Sequence, residues 1–139
     1  MSEHTINTER RSENTPPQHI LDLEPGSTAD DWHRHSNGGG WVYRKAWVAE
    51  TAYVGPDAVV YGTAVVIHRA SVSGNARVFG CAEVFSRAAV YGNAMVCGNA
   101  KVYGSAEVCG DAVVCGNARI GGNASIGGHT RVEGDDRIY

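Results

Sequence analysis

This chain is poor in basic residues, and the few it has are scattered. Its 12 Lys and Arg face 15 Asp and Glu, for a formal net charge of −3. No stripe of positive charge runs along it to follow a phosphate backbone, so nucleic acid is not an expected partner. No apolar run is long enough to span a bilayer, and no membrane partner is expected. Met1 to Gln18 is polar throughout and lacks the basic and apolar regions of a secretory signal, which predicts folding in a cytoplasm. The four cysteines, Cys81, Cys97, Cys109 and Cys115, show neither metal-ligand spacing nor the density of a disulfide scaffold, so reduced thiols are expected. Proline is scarce as well, at four residues, whereas glycine is abundant at 18, a balance that points to many tight turns.

The glycines fall in a register that repeats every six residues from Lys45 to the last residue. The second position of each hexad is Ala from Ala46 through Ala124, then Thr130 and Asp136. The fourth is always Val or Ile, from Val48 to Ile138. The sixth is Gly in 11 of 15 complete hexads, and the next hexad often opens on Asn or Asp (Asn75, Asn93, Asn99, Asp111, Asn117, Asn123). Ala and Val two positions apart lie on one face of a short strand. Gly followed by Asn or Asp tolerates the positive φ of a sharp corner. Strands this short, each ended by a corner, cannot form a flat sheet; a sheet coiled about its own axis, with Ala and Val filling a narrow interior, is the natural solution.

With these hexads the chain resembles the hexapeptide-repeat family over about two thirds of its length. The resemblance implies an all-β fold: a single-stranded, left-handed parallel β-helix of about five triangular coils, three hexads to a coil. At ~4.8 Å between stacked strands the prism would be about 25 Å tall. Two regions are expected, an extended N-terminal docking arm over residues 1–38 and the β-helix over 39–139, with Trp41-Val42 already in register.

Stacking every third hexad sorts the outward positions into three flanks. One carries Val59, Tyr61, Phe79, Met95, Cys97, Val113 and Cys115 among Arg77, Arg131 and Glu133; this apolar patch is the expected oligomer interface. The resemblance implies a homotrimer built around prism flanks. The second carries Trp47, Val65, Ile67, Phe85 and Tyr103 beside Glu83, Lys101, Arg119 and Arg137, and the third is smaller and more neutral. Lys101 should pair with Glu83 one coil away. Cys97 and Cys115 share a column, but parallel strands in register hold the Cβ atoms too far apart for easy disulfide closure.

Before the repeat, Ser, Thr, Glu, Asn and Pro dominate, a composition that cannot bury itself. Its apolar residues, Ile20, Leu21, Leu23 and Trp32, are the expected docking elements toward a partner. Ser27 or Thr28 could cap one helical turn, and Trp41 with Trp47 is expected to cover the open N-terminal end of the core.

Chemistry is harder to find. Many members of the resembled family are acyltransferases with a His general base and a loop that shapes the pocket; this chain has no insertion in its hexads and only His68 and His129 there, both at corners. A general base needs a cleft and a partner, so no catalytic residue, cofactor or metal site is expected. The zinc carbonic anhydrases of that family need three His across a trimer interface, which two distant corner His do not match. His33-Arg34-His35 is similar to the iron-binding tips of phage tail spikes, but here it precedes the β-helix. The regular Val-Tyr-Gly-Asn-Ala runs resemble prophage-encoded and other bacterial repeat proteins. The expected function is therefore a non-catalytic, trimeric structural protein docked on a capsid or tail, a head decoration, head fibre or tail protein of a virion assembled in a host cytoplasm. The alternatives are an acyltransferase-like enzyme and a self-stacking cytoskeletal polymer.

Overall fold

The computed structural model describes residues 15–139. The first fourteen residues of the expected arm lie outside them. A four-residue helix α1 (Gln18–Leu21) and a 3₁₀ turn (Ala29–Asp31) lead into strand β1 (Trp32–Arg34). Thr28 caps that turn, its N–H donating to Asp31 Oδ2 at 2.8 Å, as its spacing from Asp31 allows. After β2 (Trp41–Tyr43) a two-residue strand recurs every six residues, from β3 (Trp47–Val48) and β4 (Tyr53–Val54) to the last, Arg137–Ile138.

These strands form three parallel sheets, the sides of a β-solenoid of about five turns. The register fixes the coil at eighteen residues: Trp41 pairs with Val59, Val59 with Arg77, Arg77 with Met95, and Met95 with Val113. Inward, the Ala and Val columns form one continuous core in which nearly every member from Ala52 to Ile120 is fully buried. Each buried Val contributes roughly 1.5 to 3 kcal/mol gross, which offsets the ordering of a chain with little other interior. At the final coil the Ala column turns polar, and Thr130 and Asp136 there are exposed.

The corners explain the glycines. From residue 62 to 134 every sixth residue turns with φ near +65°, and up to residue 116 its successor's N–H donates to the carbonyl one coil on, as Asn99 does to Gly116 at 2.7 Å. A Cβ added at Gly98 would sit 2.8 Å from the Gly116 nitrogen, so both the turn and the stacking require glycine. Outside two corners run amide ladders: Asn75 donates to Asn93 and Asn93 to Asp111, while Asn99 donates to Asn117 and Asn117 to Asp135, all at 3.2–3.3 Å.

The N-terminal end of the core is closed by a device other than the expected pair of tryptophans. Trp47 is 64 % exposed and covers nothing, and Trp41 is buried on the outer flank instead. The cap is residues 35–40. His35 Nε2 and Asn37 Nδ2 both bond the Ala52 carbonyl, at 2.8 and 3.1 Å. The Gly40 N–H donates to Val54 O, and the Val54 N–H donates to Asn37 O. The edge strand β4 thus finds partners for backbone groups that a first coil leaves open. Gly40 is required here, since a Cβ would lie 2.4 Å from the Gly55 carbonyl. Strand β1 closes the neighbouring edge by pairing antiparallel with β2.

Candidate functional site

Three places in the solenoid hold residues that the sequence singles out. The first is the apolar flank. Ile20 and Trp32 are buried against Trp41, Val59 and Tyr61, with Leu21, Leu23, Tyr43 and Phe79 at the rim. Tyr61 and Phe79 stack at 4.8 Å with nearly parallel rings, and Trp32 lies 6.4 Å from Tyr61. The Trp32 indole donates to Ser27 Oγ, which donates to the Leu21 carbonyl, so the polar atoms of the cluster are satisfied too. Arg44 pairs with Asp31 at 3.0 Å and ties the turn to the first coil. The four side chains read as docking elements are therefore seated on the chain's own flank. Trp41, Val59 and Tyr61 supply the surface against which Ile20 and Trp32 are buried. The physical reason is that two apolar patches of one chain meet at high effective concentration, which composition taken segment by segment does not reveal.

This seating also divides the expected interface. Val59 and Tyr61 are buried beneath the arm, whereas Met95, Cys97, Val113 and Cys115 stay half-exposed beyond it. The Cys97 thiol is pushed up in pKa, first by burial and then by its neighbour Cys115, and so keeps its proton; both cysteines are free thiols. On the second flank Phe85 stacks on Tyr103 at 5.2 Å, and Lys101 reaches Glu83 at 3.5 Å, the expected surface pair of small worth. On the third, the Tyr91 hydroxyl donates to Glu107 at 2.7 Å; that bond, and a weaker one with Cys109, hold the phenol's pKa above its ordinary value.

The second place is the histidine pair before the solenoid. His35 is buried and its Nε2 is taken by the Ala52 carbonyl, while His33 stays exposed on β1. The two do not present a common solvent face to a metal. Among the described residues no group of three or more His, Cys, Asp or Glu side chains is placed to hold one. His33, although largely exposed, has its pKa lowered first by the partial burial of its ring and then by the charge of His35.

The third place is a corner between the second and third sheets. There His68, Arg69, Ser86, Arg87, Gly104 and Ser105 line a groove of about 520 Å³. Along the sequence nothing marks Arg69, Ser86, Arg87 and Ser105 as neighbours of His68, because residues eighteen apart meet only once the coil is closed. His68 and Ser86, in successive coils, are the described non-glycine residues with positive φ, both at 60°. The Ser86 N–H donates to His68 Nδ1 at 3.2 Å, and Phe85 meets the imidazole edge-on at 6.3 Å. With Nδ1 accepting, the neutral ring carries its proton on Nε2. His68 thus turns outward a donor, where a general base would need a free lone pair. His129 is 89 % exposed beside Asp111 at 3.4 Å, in no cleft that would shape a substrate.

A second hollow, about 690 Å³, lies where the arm meets the first coils, between Pro17, His19, Arg34, Trp41 and Asp57. The Arg34 guanidinium lies 4.5 Å over the Trp41 ring. No described helix is long and apolar enough to cross a membrane. No protein-family model, curated protein or solved structure matches this chain.

Proposed function

We propose that this protein is a non-catalytic structural module of a larger protein assembly. A homotrimeric virion component, either a head decoration, a head fibre or a tail protein, is the specific form of that reading. The observation that carries it is the constant eighteen-residue coil. Seventeen strands stack in register without an insertion, so the flanks bear ladders of side chains instead of loops. Such a body suits display and packing. The resemblance of its hexads to phage-encoded and bacterial repeat proteins supports the virion form by analogy.

In this reading the subunits meet through Met95, Cys97, Val113 and Cys115, the part of the apolar flank left outside the arm. Light scattering on the purified chain is expected to give three times the monomer mass, and Met95→Asp to give one. A monomer for the unmodified chain removes the trimer. Fractionating the native source is expected to place the chain in a high-mass particle; recovery only as a free subunit removes the assembly.

Acyl transfer is the second reading, kept for one observation, the groove beside His68. Loss of acetyl-CoA turnover on His68→Ala would favour it over the structural one.

A further inference from the structure

We propose that the groove at the His68–Ser86 corner binds a soluble phosphomonoester. The site is independent of the structural reading above and stands or falls separately.

Arg69 and Arg87 are lining residues from successive coils, their backbones one strand spacing apart. Among the described residues neither makes an ion pair or a side-chain hydrogen bond. Like charges stacked in this way repel, and the repulsion is relieved by an anion between them. The remaining lining is made of donors. The hydroxyls of Ser86 and Ser105 can donate, and His68, its Nδ1 occupied by the Ser86 N–H, offers Nε2–H. The acidic group of the same corner column is Glu50, one coil below His68 and outside the groove lining.

The backbone gives an independent indication. Every other corner from Gly62 to Gly134 that turns through positive φ uses glycine. At His68 and Ser86 the same turn is made by residues with a Cβ, a conformation disfavoured for them. Glycine would fit the turn better at both positions, so the strain is retained at two residues that line the groove.

Charge selects the ligand class. A carboxylate would neutralise one guanidinium and leave the other repelled. A phosphomonoester carries about −1.5 to −2 near pH 7 and three acceptor oxygens, which match two forked guanidinium groups and the flanking hydroxyls.

The test is isothermal titration of the full chain with glycerol 3-phosphate, inorganic phosphate and sodium chloride at constant ionic strength, with melting temperatures recorded alongside. Saturable binding of glycerol 3-phosphate is expected, with none of chloride, and Arg69→Gln or Arg87→Gln should weaken it at least tenfold. Both arginines are exposed, so these variants should fold. His68→Gly and Ser86→Gly should weaken binding while raising the melting temperature of the ligand-free chain, a split that a purely structural role would not produce. Equal binding by the arginine variants, or no saturable binding by the unmodified chain, overturns the site. Tighter binding of inorganic phosphate than of the ester overturns the ester assignment. Co-sedimentation with phosphatidic acid vesicles without binding of glycerol 3-phosphate does the same and moves the source to a lipid headgroup.

Discussion

The carboxylate of Glu24 accepts the backbone N–H of Gly62 at 2.9 Å, joining two residues 38 apart in sequence. It occupies a corner N–H of the second coil and fixes the turn after α1 over the flank where Ile20 and Trp32 are buried. The folded arm and the solenoid are thus one packing unit over the first two coils.

Removing the anchor of that unit should be costly. Trp32→Ala is expected to destabilise the chain by about 3 to 5 kcal/mol, the range for truncating a buried aromatic. Urea unfolding followed by tryptophan fluorescence measures it; a midpoint equal to that of the unmodified chain would place the arm outside the cooperative unit. Deleting residues 1–31 should take Ile20, Leu21 and Leu23 off the flank, leave Val59 and Tyr61 partly bare, and produce concentration-dependent self-association in light scattering.

The corners allow a backbone cost to be separated from a stacking cost. Gly98 and Gly134 turn at nearly the same φ, +66° and +67°, but a Cβ at Gly98 meets Gly116 whereas one at Gly134 meets nothing. Gly134→Ala should cost about 1 to 2 kcal/mol for the left-handed conformation alone. Gly98→Ala should cost clearly more in the same urea titration, and equal losses would show that coil stacking at corners is not tight.

The amide ladders should contribute modestly. Asn117 accepts from Asn99 and donates to Asp135, both at 3.3 Å and exposed to solvent. Asn117→Ala is expected to lower stability by about 0.5 to 1.5 kcal/mol. Asn123→Ala, at a corner without such a ladder, should change it by less than about 0.5 kcal/mol. Reversal of that order in thermal unfolding would remove the ladder as a stabilising element.

His33 gives the chain a pH dependence. Its folded pKa is lowered, so as pH falls through the ordinary histidine value of about 6.5 the unfolded chain takes up a proton that the folded chain resists. Stability is therefore highest above that value and declines as pH drops toward the lowered folded value, below which no further loss comes from this group. Melting temperatures between pH 8 and 5 should show the decline, and His33→Gln should flatten it. An unchanged slope in that variant would assign the effect elsewhere.

The ladder of Ala and Val columns is legible from Lys45 onward because strand and corner are local. Two residues set a strand face, and a glycine sets a turn. The Lys101–Glu83 pair follows from spacing for the same reason, whereas the choice of Thr28 over Ser27 as the cap came only with the structure. The N-terminal cap is harder to read. His35 and Asn37 serve the Ala52 carbonyl, 15 to 17 residues away, and no periodicity marks them. The groove at His68 is likewise invisible along the chain, where Arg69, Arg87 and Ser105 are isolated letters.

What the sequence by itself determined is the repeat: which residues face inward, where the corners fall, and that successive coils stack. Only the tertiary structure decided what the apolar flank covers, since Ile20 and Trp32 could as well have waited for a partner as folded back on Val59 and Tyr61. The physical reason is that hydrophobic burial is nondirectional. A pattern tells which side chains must leave water, and the path of the chain in three dimensions tells which surface receives them.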